Sequence, residues 1–397
     1  MIFLLIVIIV LSLMYGYIGW RLIIPAAFGT PVNIILWSIL VVSLILPFLP
    51  IMLRFRGTGG FLVDAFAWIG YLSFGFFTLL FAVLLTKDLI FLLGIGIQKG
   101  IYLVRHIFDS GTTAVEAADP TRRQLLTNSI NAGLLVFTGA LTGYGMFEAL
   151  RKPEVVELDI PIRNLPKEFH GFRIVQITDI HVSHTIKRNF VQTVVDQVNG
   201  LKPDLVALTG DLVDGSVGQL RDDVAPLADL KALHGLYFIT GNHEYYSGVY
   251  QWIDETARLG FKVLINEHVI IERGLSRILL AGVTDFTGGQ FSKEHISDPH
   301  KAIAGGTDGD VRILLAHQPK SIFEAAKAGF DYVISGHTHG GQYFPYHFLA
   351  ALAQPYISGL HQYENTKIYV SKGTGYWGPQ IRIGARSEIT VHRLMPG

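Results

Sequence analysis

The residues of this chain that could do chemistry stand in five short segments, each of which joins an apolar run to side chains that can bind metal. The last segment is the densest, because it places His337 and His339 one residue apart among glycines. Histidine is an unusual choice for a tight turn, where Gly, Asn and Asp dominate, so a chemical role explains the pair better. The segments are FRIVQITDIH (172–181), DLVALTGDLVDG (204–215), GLYFITGNHE (235–244), VRILLAHQP (311–319) and DYVISGHTHGG (331–341).

These segments supply carboxylate, carboxamide and imidazole groups but no sulfur, which suits Mn²⁺, Fe, Zn²⁺ or Mg²⁺. There are more such groups than one ion needs, and Asp211 could bridge two ions. A single Asp-x-His or a lone histidine is more often an ordinary packed or surface residue. Five such segments, each at the end of an apolar run, predict a metal site. The candidate residues are Asp179, His181, Asp211, Asn242, His243, His317, His337 and His339.

The apolar runs predict β-strands, and intervening stretches such as 187–199 and 319–327 predict helices. Strands that alternate with helices indicate an α/β layered fold. The polar side chains come directly after the strands, so we expect them to cluster in loops at the carboxyl ends, where such sheets bind ligands. Glycines at positions 210, 241 and 336 allow the backbone to turn sharply and to approach a bound group closely.

The composition separates two regions of the chain. Half of the 397 residues are hydrophobic and only 16% are charged, which is too apolar for an ordinary soluble pair of domains. The excess lies in residues 1–150, which predicts a membrane anchor there and a globular domain over residues 151–397. The net charge is zero, so a nucleic acid polymer is not an expected partner. The absence of cysteine excludes disulfides, thiolate nucleophiles and cysteine-bound metal.

Four uncharged apolar stretches predict transmembrane helices, since a helix needs ~20 residues to cross ~30 Å of hydrocarbon. The first stretch lacks the charged start and the small-residue cleavage site of a signal peptide. No ionisable residue lies in the middle of a stretch, so the region is interpreted as an anchor rather than as an ion or proton pathway. The predicted spans are residues 2–20, 32–53, 66–86 and 127–147.

The basic residues around these spans give conflicting indications of orientation. Lys99, Arg105, Arg122 and Arg123 favour a cytoplasmic loop between the third and fourth spans, which leaves the C-terminal domain outside. Arg54, Arg56, Arg151 and Lys152 favour the reverse. The sequence TRRQLL (121–126), followed by an apolar run, resembles a twin-arginine export signal, although a plain basic flank is the alternative. We therefore expect an integral protein of a bacterial inner membrane with its C-terminal domain on the periplasmic side.

The five segments, in this order, resemble those of the calcineurin-like metallophosphoesterase superfamily. The resemblance covers residues 155–395, and GHTHGGQ (336–342) and GTGYWGPQIRIG (373–384) are similar to bacterial membrane-attached phosphodiesterases of that superfamily. It implies a β-sandwich flanked by helices. It also implies hydrolysis of a phosphodiester or a pyrophosphate by a hydroxide that two divalent metal ions activate.

The resemblance assigns roles to the candidate residues. It implies that Asp211 is shared between the two ions and that His243 acts near the leaving group, either as an imidazolium that stabilises charged oxygens or as a proton donor. The first ion would bind Asp179, His181, Asp211 and His339, and the second would bind Asp211, Asn242, His317 and His337.

Three further residues and two further functions stay open at this point. Glu244 could orient His243 or be a solvated loop residue, Arg382 could hold a phosphate, and Trp377 could contact an acyl chain or a ring. The substrate could be lipid-linked, as in superfamily members that cleave the pyrophosphate of UDP-diacylglucosamine, with membrane lipid as the partner. Alternatively, the chain could be a membrane signalling or transport protein with a regulatory metal-binding domain.

Overall fold

The computed structural model describes residues 2–55, 60–108, 119–306 and 311–397. The chain forms two compact units. One unit comprises residues 1–52 and 65–144, and its described residues are mainly helical. The other comprises residues 53–64 and 145–397 and contains both β-sheets.

Long apolar stretches form the helices of the N-terminal part. Among the described residues, three helices are long and apolar enough to cross a membrane, over Leu5–Ala26, Phe61–Val104 and Thr121–Leu150. They agree with the membrane association expected from the sequence. The helices are α1 (Ile2–Ala26), α2 (Thr30–Ile45), α3 (Phe48–Phe55), α4 (Phe61–Phe108) and α5 (Pro120–Leu150).

The predicted span 32–53 is not one helix. It is divided between α2 and α3, and the break falls at Pro47, which has no amide hydrogen and clashes with the preceding turn. The 16 residues of α2 extend only ~24 Å, less than the hydrocarbon thickness. The described residues therefore contain three helices of spanning length where the sequence predicts four. Arg56, which entered the orientation argument, lies outside the described residues.

Polar residues at the ends of the predicted spans meet within the helical unit. Arg21 of α1 donates a hydrogen bond of 2.5 Å from Nη2 to Oδ1 of Asp88 in α4. Asn131 of α5 donates from Nδ2 to the backbone oxygen of Arg21 at 2.9 Å. Pairing of this kind lowers the cost of placing charges next to an apolar bundle.

The first sheet has six strands in the order β1-β12-β2-β3-β4-β5. The neighbours β2, β3, β4 and β5 are parallel, whereas β12 is antiparallel to β2 and parallel to β1. The strands are β1 (Glu154–Ile162), β2 (Arg173–Ile177), β3 (Leu205–Thr209), β4 (Leu236–Ile239), β5 (Phe261–Val263) and β12 (Glu388–Pro396).

The second sheet also has six strands, in the order β10-β11-β9-β8-β7-β6. Its centre is parallel from β7 to β11, and each edge strand, β6 and β10, is antiparallel to its neighbour. The strands are β6 (Glu267–Arg273), β7 (Ser276–Gly282), β8 (Val311–Leu315), β9 (Tyr332–Ser335), β10 (Gly359–Tyr363) and β11 (Thr366–Val370).

The two sheets pack face to face, and helices cover their outer faces. Alternate residues of a strand serve different cores, so that Ile174 packs between the sheets and Val175 packs under α6 and its neighbours. Ile322 and Ala325 of α11 pack on the second sheet. The predicted β-sandwich flanked by helices is confirmed. The helices that follow β2 in the chain are α6 (Arg188–Gly200), α7 (Val217–Val224), α8 (Asn242–Ser247), α9 (Val249–Arg258), α10 (Pro299–Ile303), α11 (Ile322–Ala328) and α12 (Tyr346–Ala353), of which α12 buries no residue.

A chain of buried hydrogen bonds links the two sheets. Burial lowers the pKa of His392 to about 3, so its ring is neutral. The Tyr332 hydroxyl lies 2.7 Å from His392 Nδ1, and His392 Nε2 donates to Oε1 of Gln176 at 3.1 Å. Gln176 Nε2 then donates to the backbone oxygen of Ser335 in β9 at 3.0 Å. Such a network fixes the position of one sheet against the other, because every slip would leave a buried polar group unpaired.

We expect Tyr332→Phe to lower the free energy of unfolding by ~1–3 kcal/mol, because His392 Nδ1 would be buried without its partner. Thermal unfolding of the detergent-solubilised protein measures the effect. Tyr250→Phe is the matched control, since that phenol contacts Ser292 at the surface and its loss should cost less than ~0.5 kcal/mol. Equal stability of the two variants would contradict a structural role for the network.

Candidate metal centre

The candidate residues lie at the carboxyl ends of five strands drawn from both sheets. Asp179 and His181 follow β2, Asp211 follows β3, and Asn242 and His243 follow β4. In the second sheet, His317 follows β8, and His337 and His339 follow β9. The strand ends of the two sheets therefore meet at one edge of the sandwich, as the α/β pattern predicts.

Asp179, His181 and His339 form one cluster of groups that could hold an ion. His181 Nε2 and His339 Nε2 face each other at 3.0 Å, and His339 Nε2 lies 3.5 Å from Asp179 Oδ1. All three side chains are almost completely buried.

Asp211, His317 and His337 form a second cluster. His317 Nε2 lies 3.0 Å from Asp211 Oδ2 and 3.2 Å from His337 Nδ1. The same Oδ2 of Asp211 lies 3.8 Å from Nε2 of His181, which belongs to the first cluster. The Asp211 carboxylate thus stands between the two clusters, where a bridging ligand is expected.

The donor set of the second cluster fits a divalent cation. His317 Nδ1 lies 2.8 Å from the carbonyl oxygen of Thr209, which can only accept, so Nδ1 donates there and Nε2 faces Asp211. Burial opposes the charge of His317, but Asp211 and Asp179 outweigh it and raise its pKa well above the usual value, so a bound cation would replace the proton on Nε2. The Nε2 atom of His317, the His337 ring and the Asp211 carboxylate converge. Burial lowers the pKa of His337 to about 3, so its imidazole is a neutral ligand. Converging acceptors of this kind are stabilised by a cation.

Asn242 supplies a further oxygen. Its Oδ1 is buried and makes no hydrogen bond to any residue that the structure describes. An orphaned carbonyl oxygen beside the Asp211 loop is costly unless a ligand satisfies it. The structure therefore supports the expectation that Asn242 faces the second ion, which remains a prediction.

Five of the candidate residues have a left-handed backbone. The φ angles are 52° at Asp179, 54° at His181, 52° at Asp211, 71° at His337 and 53° at His339. A left-handed conformation costs an L-residue about 1–2 kcal/mol, and it tends to occur where a functional arrangement requires it. The turn after each strand directs these side chains toward one point.

Two glycines allow the loops to approach each other. A Cβ atom at Gly241 would lie 2.1 Å from Asp211 Oδ1, and one at Gly336 would lie 2.3 Å from Asp179 Oδ2. Only glycine fits at these positions, because the neighbouring carboxylates occupy the space of a side chain.

Glu244 contacts the backbone of two loops and not the side chain of His243. It is fully buried and accepts hydrogen bonds from the backbone amides of Gly241, Asp211 and Leu212 at 2.7, 3.0 and 2.8 Å. Burial and the nearby Asp211 raise the pKa of its carboxyl to about 7. Of the two interpretations of Glu244 open from the sequence, the solvated loop carboxylate is wrong, because the side chain is buried. An orienting role toward His243 stays a prediction, since the hydrogen bonds of Glu244 go to backbone amides of the β3 and β4 loops.

Asp214 positions His243, and sequence reasoning missed it. Its Oδ1 contacts Nδ1 of His243, and its Oδ2 lies 3.3 Å from Nδ1 of His181. Burial opposes the charge of His243, but the carboxylates of Asp211 and Asp214 outweigh it and raise the pKa of His243 to about 9. The available signal was the second carboxylate of GDLVDG, just before Gly215.

Arg382 lies within the protein rather than on the cleft. It is 1% exposed and donates to the backbone oxygens of Gly375 and Ala385 at 2.9 and 2.7 Å. Its Nη2 also lies 2.9 Å from Nδ1 of His339. The idea that Arg382 holds a phosphate is therefore wrong, and its contacts instead hold His339.

An exposed aromatic rim, which we define as Tyr246, Phe291 and Trp377, lies beside His243. The side chains of these three residues are 53%, 51% and 50% exposed. The rings of Tyr246 and Trp377 lie 5.3 and 5.7 Å from the His243 ring, and Phe291 lies 5.7 Å from Tyr246. Such a rim can contact an apolar or planar part of a ligand.

The chain is similar to known phosphoesterases. The model of the calcineurin-like phosphoesterase family matches residues 172–341. A transmembrane protein with metallophosphoesterase domain from Danio rerio is 41% identical over 264 residues, which are 64% of this chain and 60% of that protein. This chain thus spans less than two thirds of that relative.

Two bacterial proteins are also similar. An uncharacterized metallophosphoesterase of Helicobacter pylori strain J99 is 38% identical over 290 residues, which are 71% of this chain and 75% of that protein. An uncharacterized metallophosphoesterase of Aquifex aeolicus is 32% identical over 239 residues, which are 60% of this chain and 90% of that protein.

We expect His317→Ala to remove about one bound ion per chain, because the second cluster would lose its central imidazole. Elemental analysis after equilibration with Mn²⁺ measures the content. A second readout is the thermal unfolding midpoint, which bound metal should raise in the wild type and raise less in the variant. His300→Ala, at an exposed histidine paired with Glu324, is the control. Unchanged metal content and an unchanged metal-induced shift would contradict the site.

Proposed function

Because the chain belongs to the calcineurin-like phosphoesterase family and is a metallophosphoesterase, we propose that its metal centre hydrolyses a phosphodiester or a pyrophosphate. The position of the Asp211 carboxylate between two ligand clusters carries this proposal. Asp211 would be shared by both ions. The first ion would also bind Asp179, His181 and His339, and the second would also bind Asn242, His317 and His337.

Bound divalent ions would neutralise charge on the phosphoryl oxygens and make a water molecule acidic enough to attack near neutral pH. The residues of the chain hold the geometry for that chemistry. Asp211 Oδ1 accepts a hydrogen bond of 2.9 Å from the backbone amide of His243, which fixes the carboxylate between the clusters. Glu244 holds the same loop from behind through the amides of Asp211 and Leu212.

His243 is the proposed proton donor to the leaving group. Before any ion binds, the carboxylates of Asp211 and Asp214 raise the pKa of His243 to about 9 against the effect of burial. Asp214 holds Nδ1 so that Nε2 points toward the Asp211 side of the site, 3.9 Å from Oδ2. A protonated imidazole at this place can stabilise an anionic oxygen or protonate a departing alkoxide. Asp214 thereby serves as a positioning residue.

The aromatic rim favours a substrate with an apolar or planar part. Trp377 and Tyr246 flank His243, so a group attached to the leaving oxygen would reach their exposed faces. The three apolar helices of spanning length keep the same chain at a membrane. Together these features support a lipid-linked phosphodiester or pyrophosphate as the substrate, in preference to a small soluble ester.

A regulatory metal-binding domain of a signalling or transport protein is the second candidate. A regulatory role requires ions bound at the two clusters. It does not require a proton donor such as His243 beside them, held by the Asp214 carboxylate. The His243–Asp214 pair beside the clusters therefore favours hydrolysis.

We expect His243→Gln to slow turnover by ~10²–10⁴-fold for an alkyl phosphodiester, because a poor leaving group needs a proton donor. For a nitrophenyl phosphodiester, which needs little protonation, the loss should be much smaller. The measurement is kcat for both esters with Mn²⁺, together with the metal content. An equal loss for both esters at unchanged metal content would exclude the proton-donor role.

We expect Trp377→Ala to raise KM for a long-chain alkyl phosphodiester by about 10-fold. The physical reason is the loss of an apolar contact of roughly 1.4 kcal/mol, which corresponds to a tenfold change in affinity. The KM for the methyl ester should stay the same. Phe323→Ala is the control, because Phe323 is an exposed aromatic residue of α11 that packs on Tyr363. A similar KM change for both esters would show that the rim does not contact the apolar part of the substrate.

A further inference from the structure

The helix α12, which follows the metal centre, exposes an apolar surface that the fold does not use. The structure describes α12 throughout, and none of its eight residues is buried. Phe348, Leu349 and Leu352 are 57%, 57% and 86% exposed, and Phe344 just before the helix is 38% exposed. A contiguous group of large apolar side chains in water is unfavourable and marks a surface that contacts something else.

The sequence around α12 carries no charge other than histidine. Between Asp331 and Glu364 there is no Asp, Glu, Lys or Arg. Protein interfaces are ordinarily enriched in arginine and bounded by a polar rim, whereas this stretch contains no Arg, Lys, Asp or Glu. Tyr346 has an apolar body and a polar tip and belongs to a residue type that is enriched at membrane–water interfaces.

The chain connection limits how far this surface can be from the bilayer. The apolar helix α5 ends at Leu150, and β1 begins at Glu154, so only residues 151–153 lie between them. Such a connection spans at most about 13 Å. The domain that carries α12 is therefore tethered within that distance of the end of a helix of spanning length, which puts lipid within its reach.

We propose that α12 docks on the lipid bilayer with Phe348, Leu349 and Leu352 in the boundary between headgroups and acyl chains. A helix of this kind lies in the plane of the interface with its apolar side chains inserted. The docking surface is defined as Phe344, Phe348, Leu349 and Leu352.

Docking of α12 would set the height of the metal centre above the bilayer. The helix begins seven residues after His339, and a Cβ atom at Gly341 would lie 2.3 Å from the Cα atom of His347, so the loop and the helix are in direct contact. The metal centre would then lie at the level of lipid headgroups. In this respect the inference rests on the proposed function, because a headgroup phosphoester would be the accessible substrate.

The location of α12 can be measured without any turnover. The chain has no cysteine, so Leu352→Cys carries a single fluorescent label, and Leu275→Cys labels an exposed turn of the β6–β7 hairpin as the matched control. The full chain is placed one copy per nanodisc of phosphatidylcholine and phosphatidylglycerol, with and without doxyl-labelled lipid. We expect doxyl lipid to lower the fluorescence at position 352 by about two-fold or more and to leave position 275 nearly unchanged, because an interfacial helix inserts ~5–10 Å.

Two results would overturn the docking. One is quenching at position 352 that does not exceed quenching at position 275. The other is a label at position 352 that is shielded from water but insensitive to doxyl lipid, which would indicate a protein contact. Either result leaves the hydrolysis of a soluble phosphodiester unaffected, so failure of the docking and failure of the proposed function are distinguishable.

Turnover measurements test whether docking of α12 brings the metal centre to a phosphoester in the bilayer. Leu352→Gln should lower turnover of a phosphodiester embedded in the nanodisc by about 10-fold and leave turnover of a water-soluble phosphodiester unchanged. Leu275→Gln should change neither rate. Equal rates of Leu352→Gln and the wild type on the embedded ester would contradict a role of α12 in presenting the site to lipid.

Discussion

The buried carboxylate of Asp211 is the constraint on which the rest of this structure depends. It lies 3.0 Å from a ring nitrogen of His317 and 3.8 Å from one of His181, and it is almost completely removed from water. A buried carboxylate is unfavourable unless positive charge and hydrogen-bond donors compensate it. Three features stabilise the position or the charge of that carboxylate. They are the turns after the strands of both sheets, the backbone amides that donate to Glu244, and the proton on His243.

The sandwich is suited to this task because its two sheets contribute different candidate ligands. The first sheet supplies Asp179, His181 and Asp211, and the second supplies the three remaining histidines. The hydrogen-bond network through Gln176 and His392 fixes the two sheets against each other directly behind the site. The left-handed residues at the strand ends then store local strain that the packed sheets sustain.

The sequence allowed the layered fold and the clustering of the candidate residues to be predicted, because strand runs and the polar groups after them are local patterns. The role of Asp214 could not be predicted from the sequence, because it depends on a tertiary contact with His243. Arg382 was wrongly placed on the cleft, because sequence does not show that residues 375 and 385 fold over its guanidinium. The span 32–53 was predicted as one helix because hydropathy is insensitive to the break at Pro47. Ligand roles of individual residues stay predictions until metal is measured.

The most direct test of the account is hydrolysis of bis(4-nitrophenyl) phosphate by the detergent-solubilised full chain, with and without Mn²⁺, beside Asp211→Asn. We expect turnover by the wild type that requires the metal and is lost in the variant, because the amide cannot supply the bridging charge. Metal-independent turnover, or equal turnover by Asp211→Asn, would contradict a two-cluster centre organised by Asp211.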